Sequence, residues 1–488
     1  MNKYNIVLIM ADQLTPYMMG CYGNKEVISP NLDRLAEMSV CYDSAYTSNP
    51  LCTPARASLM TGKYTSEIHC YDNASSFSCE EPTFAHYLSN AGYETVLCGK
   101  MHFVGPDQLH GFSRRLTTDI YPSSFSWLPE YVDEDKHILQ AETWGNAIHY
   151  NAKTAGPREW NQGLQYDEET HLKAREYLYT REKGSKEPFF LCVSYHHPHD
   201  PFNPPQRYWD LYEGRDITLP DIENVDLEGD TTLDKWLNMG FHRTDIFSVK
   251  GNENLYAVRR AYSALVTYID DKVGELINDL KETGLYEKTI IIFTSDHGDM
   301  LGERGMVQKR CFYEWSSRIP MMIHYPDNRS GRVKTPVSII DLAPTLADLS
   351  KGMHMEGIDG ISLTDGGTSG DGTERPVFCE SHGEAILWPC YMVRKGAYKY
   401  TYIYQKETQL FCLETDPKEE RNLSGKPEYQ EIENELRNLI LRRFDPQEVL
   451  KYLESSIRKK RIIKQAMERT ETSWDYMPVL DESRRFCR

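Results

Sequence analysis

Cys52 begins the segment Cys52-Thr53-Pro54-Ala55-Arg56, in which a cysteine stands four residues before an arginine. Proline is tolerated in the first turn of an α-helix, so the segment predicts a helix that starts near Cys52 and continues through Leu59. The cysteine would then lie where free backbone N–H groups favour an anion, one helical turn from the Arg56 guanidinium. This arrangement suits a nucleophile that attacks an anionic substrate. A single cysteine before a helix is, however, more often a packing residue.

Two pairs of polar residues come directly after short apolar runs. Asp12-Gln13 comes after the first run of the chain, and Asp296-His297 comes after the run 289–294. An aspartate at a strand end is often only a turn or cap residue. Two such ends together with Cys52 predict a metal site, and oxygen ligands suit Ca²⁺, Mg²⁺ or Mn²⁺ better than Zn²⁺. The predicted ligands are Asp12, Gln13, Cys52, Asp296 and His297.

Apolar runs alternate with amphipathic stretches, which predicts an α/β fold: a mostly parallel central sheet with helices on both faces. The clearest helix is predicted over residues 256–280, where apolar residues recur at three- and four-residue steps. The predicted strands are 5–10, 95–97, 189–195, 289–294 and 321–324. Ligands of such sheets collect beyond the carboxyl ends of the strands. We therefore expect the polar residues after four of these runs to converge: Asp12-Gln13, Lys100 to His102, His196 to His199 and Asp296-His297.

A Gly- and Thr-rich stretch, 365–372, predicts a boundary between regions. We expect a catalytic domain over 1–370, a small sheet-and-helix (α+β) subdomain over 371–450, and an extended tail over 451–488. The 488 residues carry a net charge of −18, which argues against nucleic acid or an anionic membrane as a partner. The first apolar run is too short for a signal peptide, and the twelve cysteines lack paired spacing. Both features predict a reduced, cytoplasmic protein.

The segment CTPAR, followed by ASLMTGKY, resembles the signature of the type I sulfatases. The resemblance implies an alkaline-phosphatase-like fold and a maturation enzyme that oxidises Cys52 to formylglycine. The aldehyde hydrate would attack sulfur and form a covalent sulfate hemiacetal, whose collapse expels sulfate and restores the aldehyde. A thiol could not be regenerated in this way. Arg56 would neutralise and orient the hydrate.

The same resemblance implies roles for the other charged residues. Lys100 and Lys309 would bind sulfate oxygens and stabilise the charge that grows in the transition state. His102 would act on the formylglycine hydroxyl, and His199 would serve as general acid to the leaving oxygen. Asn73 would donate to the substrate. Outside this framework, each lysine would be an ordinary surface residue.

Longer segments resemble the choline sulfatases, namely GKMHFVGPDQLHGF, SDHGDMLGERG, ETDPKEERNL and WDYMP. A quaternary ammonium group needs aromatic faces and a carboxylate. The resemblance implies Trp127 as the aromatic face, with Glu384 and Asp475 as its acidic partners. It also implies a homo-oligomer, a dimer or tetramer, in which the tail reaches a neighbouring protomer.

The sequence departs from the family pattern at three places. Gln13 stands where many sulfatases have a second aspartate, and Thr472 replaces a tyrosine of the choline cage. The segment 133–160 matches poorly, so that a substrate-binding histidine of the family is assigned to His149.

Three functions stay open from the sequence. The first is hydrolysis of a small sulfate ester such as choline sulfate. The second is hydrolysis of an aryl or carbohydrate sulfate, or of a phosphonate or phosphodiester. The third is a non-catalytic binding role, against which the joint presence of the catalytic residues argues: Cys52, Arg56, Lys100, His102, His199, Asp296 and Lys309.

Overall fold

The computed structural model describes residues 3–128, 150–181, 187–220, 231–241, 253–364, 375–384 and 386–478. In chain order the strands are Asn5–Asp12 (β1), Ser39–Tyr42 (β2), Ala45–Tyr46 (β3), Glu94–Gly99 (β4), Arg114–Arg115 (β5), Phe189–Pro198 (β6), Thr289–Thr294 (β7), Arg318–Ile319 (β8), Met321–His324 (β9), Gly331–Val333 (β10), Val337–Ser338 (β11), Val377–Ser381 (β12), Cys390–Lys395 (β13), Tyr398–Ile403 (β14) and Thr408–Cys412 (β15).

The α-helices are Pro30–Glu37 (α1), Cys52–Thr61 (α2), Phe84–Asn90 (α3), Gln162–Thr180 (α4), Gln206–Asp210 (α5), Thr232–Phe241 (α6), Glu253–Glu282 (α7), Glu314–Ser317 (α8), Leu342–Leu349 (α9), Gln430–Arg443 (α10) and Pro446–Thr470 (α11). The helix predicted over 256–280 is α7, which is longer by a few residues at both ends. None of the described helices combines the length and the apolar character that crossing a bilayer requires.

Over the described residues, the large sheet has eight strands in the order β10-β2-β9-β7-β1-β6-β4-β5. β1 lies between β6 and β7 and runs parallel to both, and β4 runs parallel to β6. β9 runs antiparallel to β2 and β7. The predicted mostly parallel sheet is therefore confirmed. Because β1, β4, β6 and β7 point the same way, the residues beyond their carboxyl ends meet at one edge.

Both faces of the large sheet are covered, as the continuous apolar strands predicted. Val7 and Ile9 of β1 pack in one buried cluster with residues of α7, such as Val266 and Ile269. Ile6 and Leu8 pack on the opposite face, in a cluster with residues of α2, α3 and α9. Full burial of one such side chain contributes about 1.5–3 kcal/mol, so the two clusters fix the strand ends firmly.

A second, four-stranded sheet forms a small C-terminal domain. Its strands β12, β13, β14 and β15 are antiparallel and consecutive, and Leu436 and Ile440 of α10 pack in a cluster that includes its residues. Buried Lys399 of β14 pairs with Glu314 of α8 at 3.0 Å, which ties this sheet to the first domain. The predicted boundary at 365–372 lies outside the described residues.

The prediction of an extended tail over 451–488 is wrong for its first twenty residues, because α11 runs to Thr470. The Asp445 side chain caps this helix by accepting from the backbone N–H groups of Gln447 and Glu448. Val449 and Leu453 are buried at four-residue spacing along one face. Contact of the tail with a neighbouring protomer stays a prediction.

Candidate active site

The carboxyl ends of β1 and β7 bring two buried aspartates together. Asp296 Oδ1 accepts from the backbone N–H groups of Gln13 (3.1 Å) and His297 (3.0 Å). His297 Nε2 lies 3.6 Å from Asp296 Oδ2 and 4.0 Å from Asp12 Oδ1. His297 Nδ1 lies 3.1 Å from the carbonyl oxygen of Gly298. If Nδ1 holds the proton for that contact, Nε2 has its lone pair directed at the aspartates.

Cys52 is the first residue of α2, whose ten residues are all buried. Its Sγ lies 3.2 Å from His297 Nε2 and 3.9 Å from Asp12 Oδ1. One ligand atom from each of Asp12, Cys52, Asp296 and His297 falls within 4.8 Å of the others. Two carboxylates and an imidazole at this spacing fit a divalent cation.

Arg56 joins the two aspartates from one turn further along α2. Its Nε donates to Asp296 Oδ2 at 2.8 Å and its Nη2 to Asp12 Oδ2 at 3.1 Å. Its Nη1 donates to the carbonyl oxygen of Lys100 and to Ser194 Oγ at 2.9 Å. A fully buried guanidinium thus binds groups at the ends of β1, β4 and β7 and one group within β6. We call Asp12, Cys52, Arg56, Lys100, Asp296 and His297 the nucleophile cluster.

Lys100 comes directly after β4 and completes this cluster. Its ammonium pairs with Asp12 and lies 3.7 Å from Cys52 Sγ. Gly99 precedes it with φ +103°, and a Cβ there would lie 2.0 Å from the Ser194 carbonyl oxygen. Glycine therefore allows β4 to end close to β6, which is where Lys100 must turn toward the cluster.

The nucleophile cluster strongly favours ionised groups. Burial and Cys52 raise the pKa of Asp12, but Lys100, His199 and Arg56 outweigh them and hold this pKa well below its usual range. Burial also raises the pKa of the Cys52 thiol, yet Lys100, Lys309 and His297 bring it well below its ordinary value. The site is thus suited to hold negative charge at position 52.

Lys309 contacts both Gln13 and His199. Lys309 donates to the Gln13 side-chain oxygen and lies with its Nζ 2.8 Å from His199 Nε2. An ammonium group can only donate, so Nε2 accepts in this arrangement. His199 Nδ1 lies 2.8 Å from the Asp200 carbonyl oxygen. The side-chain oxygen of Gln13 is thus engaged by Lys309, which leaves Asp12, Asp296 and His297 as the stronger metal ligands.

His102 and Asn73 lie at the start of α2. Thr53 donates its backbone N–H to Asn73 Oδ1 at 3.0 Å and its hydroxyl to the His102 carbonyl at 3.1 Å. The His102 backbone N–H is held by Asp119 at 2.7 Å, and its ring centroid lies 4.8 Å from that of Tyr121. The structure therefore brings both residues beside Cys52.

Trp127 and Asp475 belong to a different neighbourhood. Trp127 is half-buried and lies edge-on to Tyr121, with ring centroids 6.3 Å apart. The Lys100 ammonium lies over the same Tyr121 ring at 4.5 Å, which connects Trp127 to the nucleophile cluster. Asp475 is exposed and accepts from the backbone N–H of Ser123 at 2.8 Å. His149 lies outside the described residues.

Glu384 is fully buried and already holds a cation of this chain. Its Oε2 accepts from Arg310 Nε at 3.0 Å and from Arg310 Nη2 at 2.6 Å. Arg310 is the residue after Lys309, so the pair lies next to the side of the site that holds Lys309 and His199. A carboxylate in this state has its charge balanced before any substrate binds.

Sequence reasoning missed Arg310, Gln308, Asp200 and Tyr121. Gln308 Nε2 donates to Asp200 Oδ1 at 2.7 Å, and Asp200 Oδ1 lies 3.1 Å from His199 Nδ1. The only signal in the sequence for Arg310, Gln308 and Asp200 was that they adjoin Lys309 or His199, and Tyr121 adjoins neither. Adjacency alone does not tell which way a side chain points.

Comparisons with known proteins agree with this geometry. A sequence profile described as "Sulfatase" matches residues 4–353, and a profile for the C-terminal part of N-sulphoglucosamine sulphohydrolase matches residues 302–445. The chain is 38% identical to the choline-sulfatase of Rhizobium meliloti over 500 residues, covering 100% of this chain and 96% of the relative. It is 32% identical to an arylsulfatase of Clostridium perfringens over 476 residues, covering 91% and 95%.

A solved structure shares the fold. The phosphonate monoester hydrolase of Agrobacterium radiobacter superposes with a TM-score of 0.69 at 21% identity, covering 93% of this chain and 96% of that one. The chain belongs to the sulfatase family and has its alkaline-phosphatase-like fold. It is an enzyme that hydrolyses sulfuric ester bonds.

Proposed function

We propose that this protein cleaves a small organic sulfate ester, with choline sulfate as the first candidate, after Cys52 has been converted to formylglycine. The observation that carries the proposal is the buried convergence of Cys52, Arg56 and Lys100 on the aspartates at two strand ends. Formylglycine at this position would supply an oxygen nucleophile in place of the thiol. A formylglycine-generating enzyme is then a required partner.

We propose that Asp12, Asp296 and His297 hold a divalent cation, with the Gln13 oxygen beside them. Carboxylate oxygens dominate this set, and conversion of Cys52 would replace its one soft donor by oxygen. Such a set suits Ca²⁺, Mg²⁺ or Mn²⁺. A bound cation would act as a Lewis acid toward a sulfate oxygen.

The residues around Cys52 are suited to different roles in the reaction. Lys100 and Lys309 bring two ammonium groups to the place where sulfate oxygens would lie, and fixed charges in a buried site stabilise developing negative charge strongly. Arg56 holds both aspartates and orients position 52. Nδ1 of His199 contacts the Asp200 carbonyl oxygen, so that Nε2 faces the site. Once Lys309 turns to sulfate, Nε2 is open to bind a proton from water and to serve as general acid for the leaving oxygen.

The organic group of the substrate is a separate question. Choline sulfate is favoured by the 38% identity to a choline-sulfatase over the whole chain and by the aromatic pair of Trp127 and Tyr121. A sulfate ester without a cationic group is favoured by the Arg310–Glu384 pair, because Arg310 already neutralises the predicted acidic partner. Both candidates need the same nucleophile cluster.

Two measurements test the proposal. Peptide mass analysis of the protein, made with its own maturation system, should show the Cys52 peptide lighter by about 18 mass units, the change from thiol to aldehyde. The protein should then release sulfate from at least one substrate in a panel of choline sulfate, para-nitrophenyl sulfate, a sulfated sugar and a phosphodiester. An unmodified Cys52 in fully active protein would contradict the nucleophile assignment. Activity on the phosphodiester alone would contradict the substrate class.

Choline recognition has a sharper test. Neohexyl sulfate is the uncharged carbon isostere of choline sulfate, with the same shape and a similar alkyl leaving group. A protein that recognises the cation should have a KM for choline sulfate at least about tenfold lower, from cation–π and charge attraction. Equal KM values would assign the protein to uncharged sulfate esters.

We also propose that the protein is a homo-oligomer. Light scattering of the full chain tests this proposal.

A further inference from the structure

A buried chain of polar side chains runs from Glu384 to His199. Glu384 Oε2 accepts from Arg310 at 2.6 Å and 3.0 Å, and Arg310 Nη1 donates to Gln308 Oε1 at 2.7 Å. Gln308 Nε2 donates to Asp200 Oδ1 at 2.7 Å, and this same oxygen lies 3.1 Å from His199 Nδ1. Each link is short enough to be a hydrogen bond or ion pair.

All five side chains are removed from water, with no residue more than 7% exposed. Three of the five residues also have left-handed backbone, with φ 65° at Gln308, 80° at Arg310 and 49° at Glu384. This conformation is unfavourable for residues other than glycine. Such backbone persists only where the surrounding contacts enforce it, and it is found most often at functional sites. Its recurrence along one chain of contacts therefore points to a functional role for these residues.

The direction of the hydrogen bonds is fixed by chemistry. Arg310 can only donate, so Gln308 must present its oxygen to Arg310 and its amide group to Asp200. The Asp200 carboxylate can then only accept, as can the Asp200 carbonyl oxygen that lies 2.8 Å from His199 Nδ1, and both favour a proton on this nitrogen. Nε2 is thereby directed toward Lys309 and the nucleophile cluster. A rotation that exchanged the amide oxygen and nitrogen of Gln308 would break its hydrogen bonds to both Arg310 and Asp200.

Neither fold stability nor cation binding accounts for these contacts as well as a role at His199. A buried ion pair is weak support for stability, because its desolvation offsets most of the attraction. Glu384 as the partner of a substrate cation is disfavoured, because Arg310 already balances the charge of this carboxylate through its Oε2. The continuous path to His199, in contrast, uses both hydrogen bonds of the Gln308 side chain.

We propose that Glu384, Arg310, Gln308 and Asp200 are positioning residues for His199, acting through Nδ1 to hold Nε2 at the leaving oxygen. The inference rests on the proposed function. In the assisted step the nucleophile oxygen bonds to sulfur while the bond from sulfur to the leaving oxygen breaks. The nucleophile hydroxyl releases its proton to water, and the electron pair of the broken bond goes to the leaving oxygen, which takes a proton from Nε2 of a doubly protonated His199 ring. The ring takes up this second proton from water when Lys309 turns from Nε2 to sulfate. Asp200 stabilises the ring while it carries that proton.

The test compares two leaving groups. An alkyl oxygen needs protonation, whereas nitrophenolate leaves readily without it, so loss of the general acid should affect the alkyl ester selectively. Gln308→Met should lower kcat on neohexyl sulfate by at least about 30-fold but kcat on para-nitrophenyl sulfate by less than about threefold. The double variant Arg310→Met, Glu384→Met should do the same. Retained nitrophenyl turnover shows that each variant is folded.

The second measurement repeats both substrates in a His199→Ala background. If the chain acts through His199, Gln308→Met should cause no further selective loss there, since coupled residues are not additive. Gln409→Met is the matched control. Gln409 is a buried glutamine of the small sheet that donates to Tyr313 at 3.0 Å, so its loss should change both rates equally.

The inference is overturned if Gln308→Met lowers both rates equally, or if its selective loss persists without His199. Should neither methionine variant fold, Asp200→Asn removes the charge beside Nδ1 with little change in shape, and the same selective loss is expected. Failure of the proposed function is seen separately, as a wild-type protein that releases no sulfate from either ester.

Discussion

The nucleophile cluster and the predicted cation residues, Trp127, Glu384 and Asp475, are built on different parts of the fold. The cluster stands on β1, β4, β7 and α2, and all six of its side chains are buried. The cation residues stand on loops and on the segment after α11, and each is engaged by its own chain: Glu384 by Arg310, Asp475 by Ser123, and Trp127 by Tyr121. The cluster is thus placed by the ends of sheet strands, whereas the residues predicted to bind a cation lie on segments outside the sheet.

The largest expected effect is at the nucleophile. Cys52→Ala should lower kcat by at least about 10³-fold, because it removes the group that becomes the nucleophile. The fold should be kept, since alanine suits the first turn of a helix. Steady-state sulfate release and circular dichroism check the two parts. The control is wild-type protein made without the maturation enzyme, which should be equally inactive.

Arg56→Met tests whether the cluster is held together by one guanidinium. The variant leaves Asp12 and Asp296 with less counter-charge and leaves Ser194 without its donor, so the free energy of unfolding should fall by about 3–5 kcal/mol. Urea unfolding measures this change. Arg56→Lys keeps the charge but not the planar fork, so its free energy of unfolding should lie between those of the wild type and Arg56→Met. A loss below about 1 kcal/mol for Arg56→Met would mean that the cluster is held by other contacts.

Metal addition should stabilise the protein through the nucleophile cluster and not through the predicted cation residues. Calcium at 100 times its Kd should raise the free energy of unfolding by about 2.7 kcal/mol in chelator-treated protein. Thermal unfolding with and without calcium measures this shift. Asp296→Asn should reduce the shift strongly. Glu384→Gln should not reduce it, because Glu384 is not among the proposed ligands. An equal shift in Asp296→Asn would place the cation elsewhere.

The sequence predicted the cluster better than the cation residues for a physical reason. Strand ends can be read from apolar runs, and parallel strands bring the residues beyond their carboxyl ends to one edge, so Asp12, Lys100 and Asp296 could be placed together. Glu384 could be named by resemblance, but its partner Arg310 lies 74 residues away in the chain. Only the three-dimensional structure shows that this pair forms.

The tail shows the same limit. Polar composition suggested an irregular segment over residues 451–470, yet Asp445 and the four-residue spacing of Val449, Leu453 and Ile457 make it a helix. Those apolar residues are few, so their periodicity is a weak signal among many charges. The Lys460 ammonium then reaches Ser75 Oγ at 3.3 Å, a contact that no local pattern predicts.

Trp127→Ala tests whether one of the predicted cation residues contacts the substrate. If Trp127 is the aromatic face for a cation, the variant should raise KM for choline sulfate by about 5- to 30-fold relative to neohexyl sulfate, the range of a cation–π contact of about 1–2 kcal/mol. Packing lost by the variant affects both esters alike and cancels in the ratio. Trp127→Phe should keep most of the preference. An unchanged ratio would assign Trp127 to packing with Phe125 and Leu128, its neighbours in a buried cluster.

The smallest effect is expected for Asp475→Asn. Asp475 is exposed, and an exposed charge attracts a cation weakly because water and salt screen it. The ratio of KM values for choline sulfate and neohexyl sulfate should therefore change by less than about threefold, and less still at high salt. A change above about tenfold would mean that the carboxylate meets the substrate, for which the segment after α11 must leave Ser123 and take another position. The cation residues would then be assembled only in that second arrangement, and selectivity would depend on the tail.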